Sequence, residues 1–302
     1  MEFCKPPIKV VDQVALLRKR GLSVTDEDRA IRVLQNINYY RLRAYWLPFE
    51  VPPDRRPEES EHFFRNGATF DQIVSVYVFD RKLRLLLLEA IERVEIALRA
   101  HWSQVIAETY HSHAYLDSDV FKPGTMHQNC MASLDEELMR SKETFVQHYQ
   151  KKYSTPTRPP IWAICELLTL GQLSKWLSNL KLRQDRQAIA TRFGLDELVI
   201  CAFAHHLTHV RNLCAHHSRV WNRKLTFTMT LPKRPAALAV QFNAQEGRRI
   251  YNTLVMLTWC IRAISPQSSW PNRVKELLLT RSAGDLRSMG APNDWLTRAP
   301  WV

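Results

Sequence analysis

Between Phe70 and Tyr110 the apolar residues Ile73, Tyr77, Leu83, Leu87, Ile91, Val94, Leu98, Trp102 and Val105 step mostly by three or four. That spacing puts side chains on one face of an α-helix. Arg81, Arg84, Glu89, Glu92, Arg93, Glu95 and Arg99 occupy the other faces. Thr69 or Asp71 can cap the start, and Gly67 precedes it. A helix of about 40 residues is long for a globular protein, so the segment is expected to kink or to be the spine of a helical bundle.

The rest of the chain reads as shorter helices. Residues 9–50 hold several, with Ser23 to Asp26 offering cap chemistry before Asp28–Asn36. Val51–Ser60 is rich in proline and charge and reads as an exposed loop. Met131–Tyr153 reads as helix, and the three prolines of Thr155–Pro160 must end it. Ile161–Leu182, with a possible turn at Gly171, and Arg186–Phe193 follow, with Gly194 as a stop. Asp196 can cap a helix from Glu197 to about His217. Residues 224–242 are one strand or an extended loop, and Ala244–Ile264 and Val274–Thr280 complete the helical set. Only 8 glycines occur in 302 residues, which argues against a turn-rich β-fold. The fold class is therefore all-α, a multi-helix bundle with a long central helix.

The formal charge of +12 points to an anionic partner: nucleic acid, an anionic membrane or an acidic protein. No GxGxxG and no GxxxxGK[ST] is present, so the common nucleotide-binding fingerprints are missing. The six cysteines are scattered without a CxxC pair, which suggests neither a disulfide framework nor a zinc ribbon. Met1–Val10 has no apolar signal core, and the longest apolar run, Leu198–Ala204, is far short of a membrane span. A reducing cytoplasm is the expected setting.

Histidines concentrate in one place. His205, His206, His209, His216 and His217 are five of the 11 in the chain. On a helical wheel Phe203, Leu207, Val210 and Cys214 form a core stripe, with His206 and His217 close to it; these two read first as packed core histidines. His205, His209, Asn212 and His216 share another face. Arg211 lies roughly 140° around from His216 on an ideal helix. One straight helix therefore cannot aim both at one atom: either it bends, or two copies face each other in a dimer. Such a pair suits RNA cleavage without a metal. A ribose 2′-OH attacks the adjacent phosphate, an imidazole moves the proton, and a guanidinium holds the phosphate oxygens. The pair His205/His209 has zinc-ligand spacing but lacks the glutamate of HExxH and a third ligand, so no metal and no other cofactor is expected. Tyr39, Tyr40, Arg41 and Arg43, in the aromatic and basic segment Tyr39–Trp46, are either a stacking clamp for single-stranded RNA or part of an amphipathic helix whose aromatics fill the core.

RNLCAHHSRVWNR (Arg211–Arg223), INYYRLRAYWLPF (Ile37–Phe49), GATFDQIVSVYVFDRKLRLLLLEAIERVEIALRA (Gly67–Ala100) and PPIWAICELLTLGQLSKW (Pro159–Trp176) resemble the Abi family of bacterial abortive infection proteins, of the AbiD/AbiF type. The resemblance runs over roughly residues 5–280 and implies a HEPN-type domain in the C-terminal half. HEPN ribonucleases carry R-x4-6-H, which maps onto Arg211, the polar Asn212, and His216; His217 satisfies the pattern equally. The implied activity is a metal-independent endoribonuclease toxin in phage defence, working as a homodimer and restrained by a small non-coding RNA. His205, His209, Arg219 and Arg223 are candidate RNA contacts around the motif. The implied organisation is an N-terminal helical region 1–155 that includes the helix 70–110, a HEPN-like region 156–282 with the motif, and a loosely held tail 283–302. The alternatives are a non-catalytic RNA-binding protein and a phage-sensing adaptor using the same basic face.

Overall fold

The computed structural model describes residues 6–52 and 62–301. Its helices are α1 (Val10–Lys19), α2 (Glu27–Asn36), α3 (Tyr39–Trp46), α4 (Phe70–Thr109), α5 (Met126–Arg140), α6 (Thr144–Lys152), α7 (Ile161–Ile164), α8 (Leu170–Asn179), α9 (Arg183–Thr191), α10 (Glu197–Ala215), α11 (Ala236–Ala239), α12 (Ile250–Ile264), α13 (Trp270–Leu279) and α14 (Ala283–Ser288). No β-strand forms among the described residues, only isolated bridges such as Glu50 with Phe64. The fold is all-α, as the periodicity predicts. No helix among the described residues is long and apolar enough to cross a membrane. Most of the expected loop Val51–Ser60 lies outside the described residues.

The chain divides into two compact units, residues 1–82 and 83–302. This division differs from the one expected near 155. The prolines at 156–160 end α6 but fall inside the second unit, where Tyr115 Oη donates to Pro159 O at 2.7 Å.

In the first unit, Asp26 caps α2 by accepting from Arg29 N at 2.8 Å. Thr69 and Gln72 form a reciprocal cap at the start of α4: Gln72 N donates to Thr69 Oγ1 at 3.1 Å, and Thr69 N to Gln72 Oε1 at 3.0 Å. Leu17, Ala30, Leu42, Tyr45, Trp46, Ile73 and Val76 are buried. Helix α4 runs unbroken for 40 residues, with 70–82 in this unit and 83–109 in the next. Every member of its predicted apolar stripe is buried except Tyr77, which is half-buried and edge-on to Tyr45 at 5.3 Å.

In the second unit, α10 packs on α8 and α9, and α5 packs on α8. The single helix expected over 161–182 is two. Thr169 and Gln172 close a capping box that starts α8, so the break precedes Gly171. Likewise 131–153 is divided between α5 and α6. Gly194 ends α9 with φ +66°, and Leu195 N reaches back to Ala190 O at 3.1 Å, the chain reversal a glycine permits. Helix α12 is buried on nearly every side, as befits an apolar sequence with no polar face. The stretch 224–242 forms no strand and is irregular, with bends, apart from the short α11.

The tail corrects an expectation. Residues 283–301 are packed, not loose: Leu286, Met289, Ala291, Trp295 and Trp301 are buried, and Trp301 Nε1 donates to Tyr251 Oη on α12 at 3.3 Å. Gly290, at φ +88°, turns the chain after α14, while the two tryptophans of this stretch supply apolar surface that must be covered.

Candidate active site

Helix α10 is anchored at its start. Asp196 accepts from Leu198 N at 3.0 Å, and the buried Glu197 carboxylate receives Arg186 Nε at 2.7 Å. Phe203, Leu207, Val210 and Cys214 are all buried, so the predicted stripe sets the rotation of the helix. Arg211 and Asn212 therefore face solvent in the last turn.

Helix α10 ends between the two halves of the motif, at Ala215. His216 is the cap residue, with φ −85° and ψ 13°. His217 follows at φ 56°. Ser218 N donates to Leu213 O at 2.8 Å and His217 N to Cys214 O at 3.0 Å, the bond pair of a Schellman cap. Glycine is the usual residue at the left-handed position of that cap; here a histidine holds it. Both imidazoles are exposed. His217 is thus not the core histidine that a continuous helix implies, because the chain leaves the helix before reaching it. The wheel separation of Arg211 and His216, roughly 140°, stands, since His216 N still donates to Asn212 O at 3.0 Å in the helical pattern and His217 is the first residue off the helical path. Beyond the cap, Val220, Trp221 and Leu225 are buried and pin the outgoing chain.

Arg211 Nη1 contacts Asn212 Oδ1 at a long 3.4 Å and has no carboxylate within 4 Å among the described residues. It stands at a groove on α4 lined by Glu89, Glu92, Glu95, Ile96 and Arg99, a surface the motif gave no sign of. The last turn of a helix carries partial negative charge. Positive charge for a bound phosphate must therefore come from side chains here, and Arg211 offers a guanidinium with no ion pair among the described residues.

The remaining histidines of α10 surround Phe227. His205, exposed, and His209, half-buried, meet its ring edge-on at 5.1 and 5.2 Å. Burial, then the charges of Arg223 and His205, pushes the His209 imidazole toward its neutral form, and its Nε2 is enclosed without a partner. His206 is a core histidine, 2% exposed. Its Nδ1 lies 2.8 Å from Phe227 O and its Nε2 2.8 Å from Thr253 Oγ1. The carbonyl can only accept, so Nδ1 carries the proton and the threonine hydroxyl donates to Nε2. Burial, first of all, pushes its pKa down to about 4. Phe227 lies in the stretch 224–242, read from the sequence as strand or loop, and nothing in the sequence ties it to the histidines. Arg219 and Arg223 are half-buried, with Arg223 Nη1 at 3.5 Å from Arg219 O. Among the described residues no group of three or more metal-ligating side chains converges.

In the first unit, Tyr45 and Trp46 are buried, as a core-filling helix requires. Tyr39 is half-buried, edge-on to Trp46 at 4.8 Å, and its hydroxyl accepts from Arg20. Arg43 bonds His62. Tyr40 is 79% exposed, and Arg41 is exposed beside it.

A family model described as Abi-like protein matches residues 32–222. No curated protein and no solved structure matches the chain.

Proposed function

The chain belongs to the Abi-like protein family, and from that premise, which supports a role in abortive-infection phage defence, we propose that it is a metal-independent endoribonuclease of HEPN type. The supporting observation is the exposure of Arg211, Asn212, His216 and His217 together at the end of a helix whose other face is locked into the core.

In this reading Arg211 holds two nonbridging phosphate oxygens through its planar fork. One imidazole, from His216 or His217, takes the proton of the ribose 2′-OH as that oxygen attacks phosphorus. The bond to the 5′-oxygen breaks, and that oxygen leaves with a proton returned by an imidazolium. The products are a 2′,3′-cyclic phosphate and a 5′-hydroxyl, and no water or redox partner is consumed. Asn212 orients the phosphate or an imidazole. His205, His209, Arg219 and Arg223 on the same helix and its outgoing chain, and Tyr39, Tyr40, Arg41 and Arg43 in the first unit, are the proposed RNA contacts. Two copies, each giving one half of the site, form the active homodimer, and a non-coding RNA holds it inactive in the cytoplasm.

Expression of the wild-type chain should arrest growth, and both Arg211→Ala and His216→Ala should relieve it. Purified protein should cut RNA in the presence of EDTA and leave cyclic phosphate ends. Losing the imidazole should slow cleavage by about 10²–10⁴-fold. A protein that binds labelled RNA and leaves it intact at high enzyme excess is an RNA-binding protein instead.

A further inference from the structure

The first unit carries a second cluster that the motif does not include. Three backbone hydrogen bonds fasten it. Phe64 N donates to Arg20 O at 2.8 Å, Val51 N to Phe63 O at 2.8 Å, and Arg65 N to Phe49 O at 2.7 Å. Glu50 faces Phe64 as an antiparallel bridge on this frame, and its side chain is only 4% exposed. Its carboxylate lies 3.0 Å from His62 Nδ1. With the proton on Nδ1, His62 Nε2 is an acceptor, and it receives an Arg43 N–H at 3.0 Å. One turn earlier on α3, the Tyr39 hydroxyl accepts from Arg20 Nη1 at 3.2 Å. Burial raises the pKa of that phenol, so it keeps its proton and can donate it.

Among the described residues the cluster is short of acceptors for its guanidinium groups. Among the described residues neither Arg20 nor Arg43 has a carboxylate within 4 Å; each spends one N–H on a neutral neighbour. Arg20 Nε is enclosed with no partner at all. Arg65 adds a third guanidinium, bonded to the Glu50 carbonyl at 3.1 Å. The buried Glu50 carboxylate is taken up by His62, and the remaining donors await an anion of several oxygens. The next residue on α3, Tyr40, presents an aromatic ring that is 79% exposed, a stacking surface that a free phosphate would not use but a nucleotide would.

We propose that Arg20, Tyr39 and Arg43 form an oxyanion site for a backbone phosphodiester of single-stranded RNA, with His62 and Glu50 as positioning residues that hold the Arg43 fork. The choice of RNA rests on the reading given under Proposed function; the oxyanion chemistry does not. The test uses the full chain carrying His216→Ala and His217→Ala together, so that neither imidazole cuts the RNA, and measures anisotropy of a labelled single-stranded RNA across a salt series. Arg20→Gln and Arg43→Gln should each weaken binding about tenfold and lower the salt slope by about one. His62→Gln, whose amide oxygen still accepts from Arg43, should keep the affinity that His62→Phe loses. Variants that melt like the parent and bind RNA with unchanged affinity and slope overturn the site. Should Arg43→Gln lower the melting temperature, Arg20→Gln, whose one side-chain partner among the described residues is Tyr39, decides alone. If inorganic phosphate raises the melting temperature of the parent but not of Arg20→Gln, while RNA affinity is equal, the site takes free phosphate and the RNA assignment is overturned. Wild-type protein that cuts RNA while the Arg20 and Arg43 variants bind normally sinks this site and leaves the cleavage reading standing. Binding that falls in those variants, in a protein that never cuts, sinks cleavage alone.

Discussion

At His217 the backbone and the side chain have opposed preferences. The φ of 56° suits glycine, and an L-residue there carries about 1 kcal/mol of strain. His217→Gly should relieve that strain and give part of it back to the freedom of glycine in the unfolded chain, so the melting temperature should rise by the equivalent of roughly 0.5 kcal/mol in thermal denaturation, whatever it does to RNA cleavage. His216→Ala sits at an exposed cap with no strain to relieve, and should leave stability nearly unchanged. His206 gives the complementary case. Its native pKa near 4 lies below the ordinary 6.5, so the unfolded chain binds a proton that the folded imidazole refuses. Stability should be whole above pH 6.5 and fall by about 3 kcal/mol as pH drops toward 4. Replacing His206 by Gln should flatten that part of a urea-denaturation pH profile. The sequence disclosed His206 as core because its wheel position lies beside Phe203 and Val210. It did not disclose the exposure of His217, because the cap that ends α10 uses no glycine or proline to announce itself.

Among elements, α10 owes its place to its two ends as much as to its buried stripe. Asp196 was legible as a cap from residue type and position, and removing it should cost about 1 kcal/mol in denaturant, as Asp196→Ala. The long α4 was legible for the same kind of reason: nine apolar positions at one period leave few other folds. The divisions of 131–153 and 161–182 were not. Ser141 to Glu143 and Cys165 to Thr169 carry no proline or glycine, and tertiary packing chose the breaks. The acidic groove beside Arg211 was hidden for another reason. Glu89, Glu92 and Glu95 read as the solvated face of α4, and only the packing of a distant helix brings Arg211 to them.

For the molecule as a whole, composition and period settle the helical class, while the division into units and the packing of the tail come from contacts that no local pattern encodes. Gly290 shows how closely that tail is fitted. Its φ is +88°, and a Cβ there would meet Arg249 Cβ at 2.6 Å. Gly290→Ala should lose at least about 1–3 kcal/mol in thermal unfolding, more than an average surface change. Oligomeric function is tested by mixing: inactive Arg211→Ala and His216→Ala proteins should partly restore cleavage if each copy lends one half of a shared site. Failure to restore would place both halves in one chain.

The bend after α10 also sets a trap for directed evolution. A library selected for heat tolerance alone would enrich glycine at 217 early, since that swap relaxes the backbone of the joint. If that imidazole is the one that moves the proton, the most thermostable clones would be the first to fall silent, and a screen that never assays cutting would record them as successes.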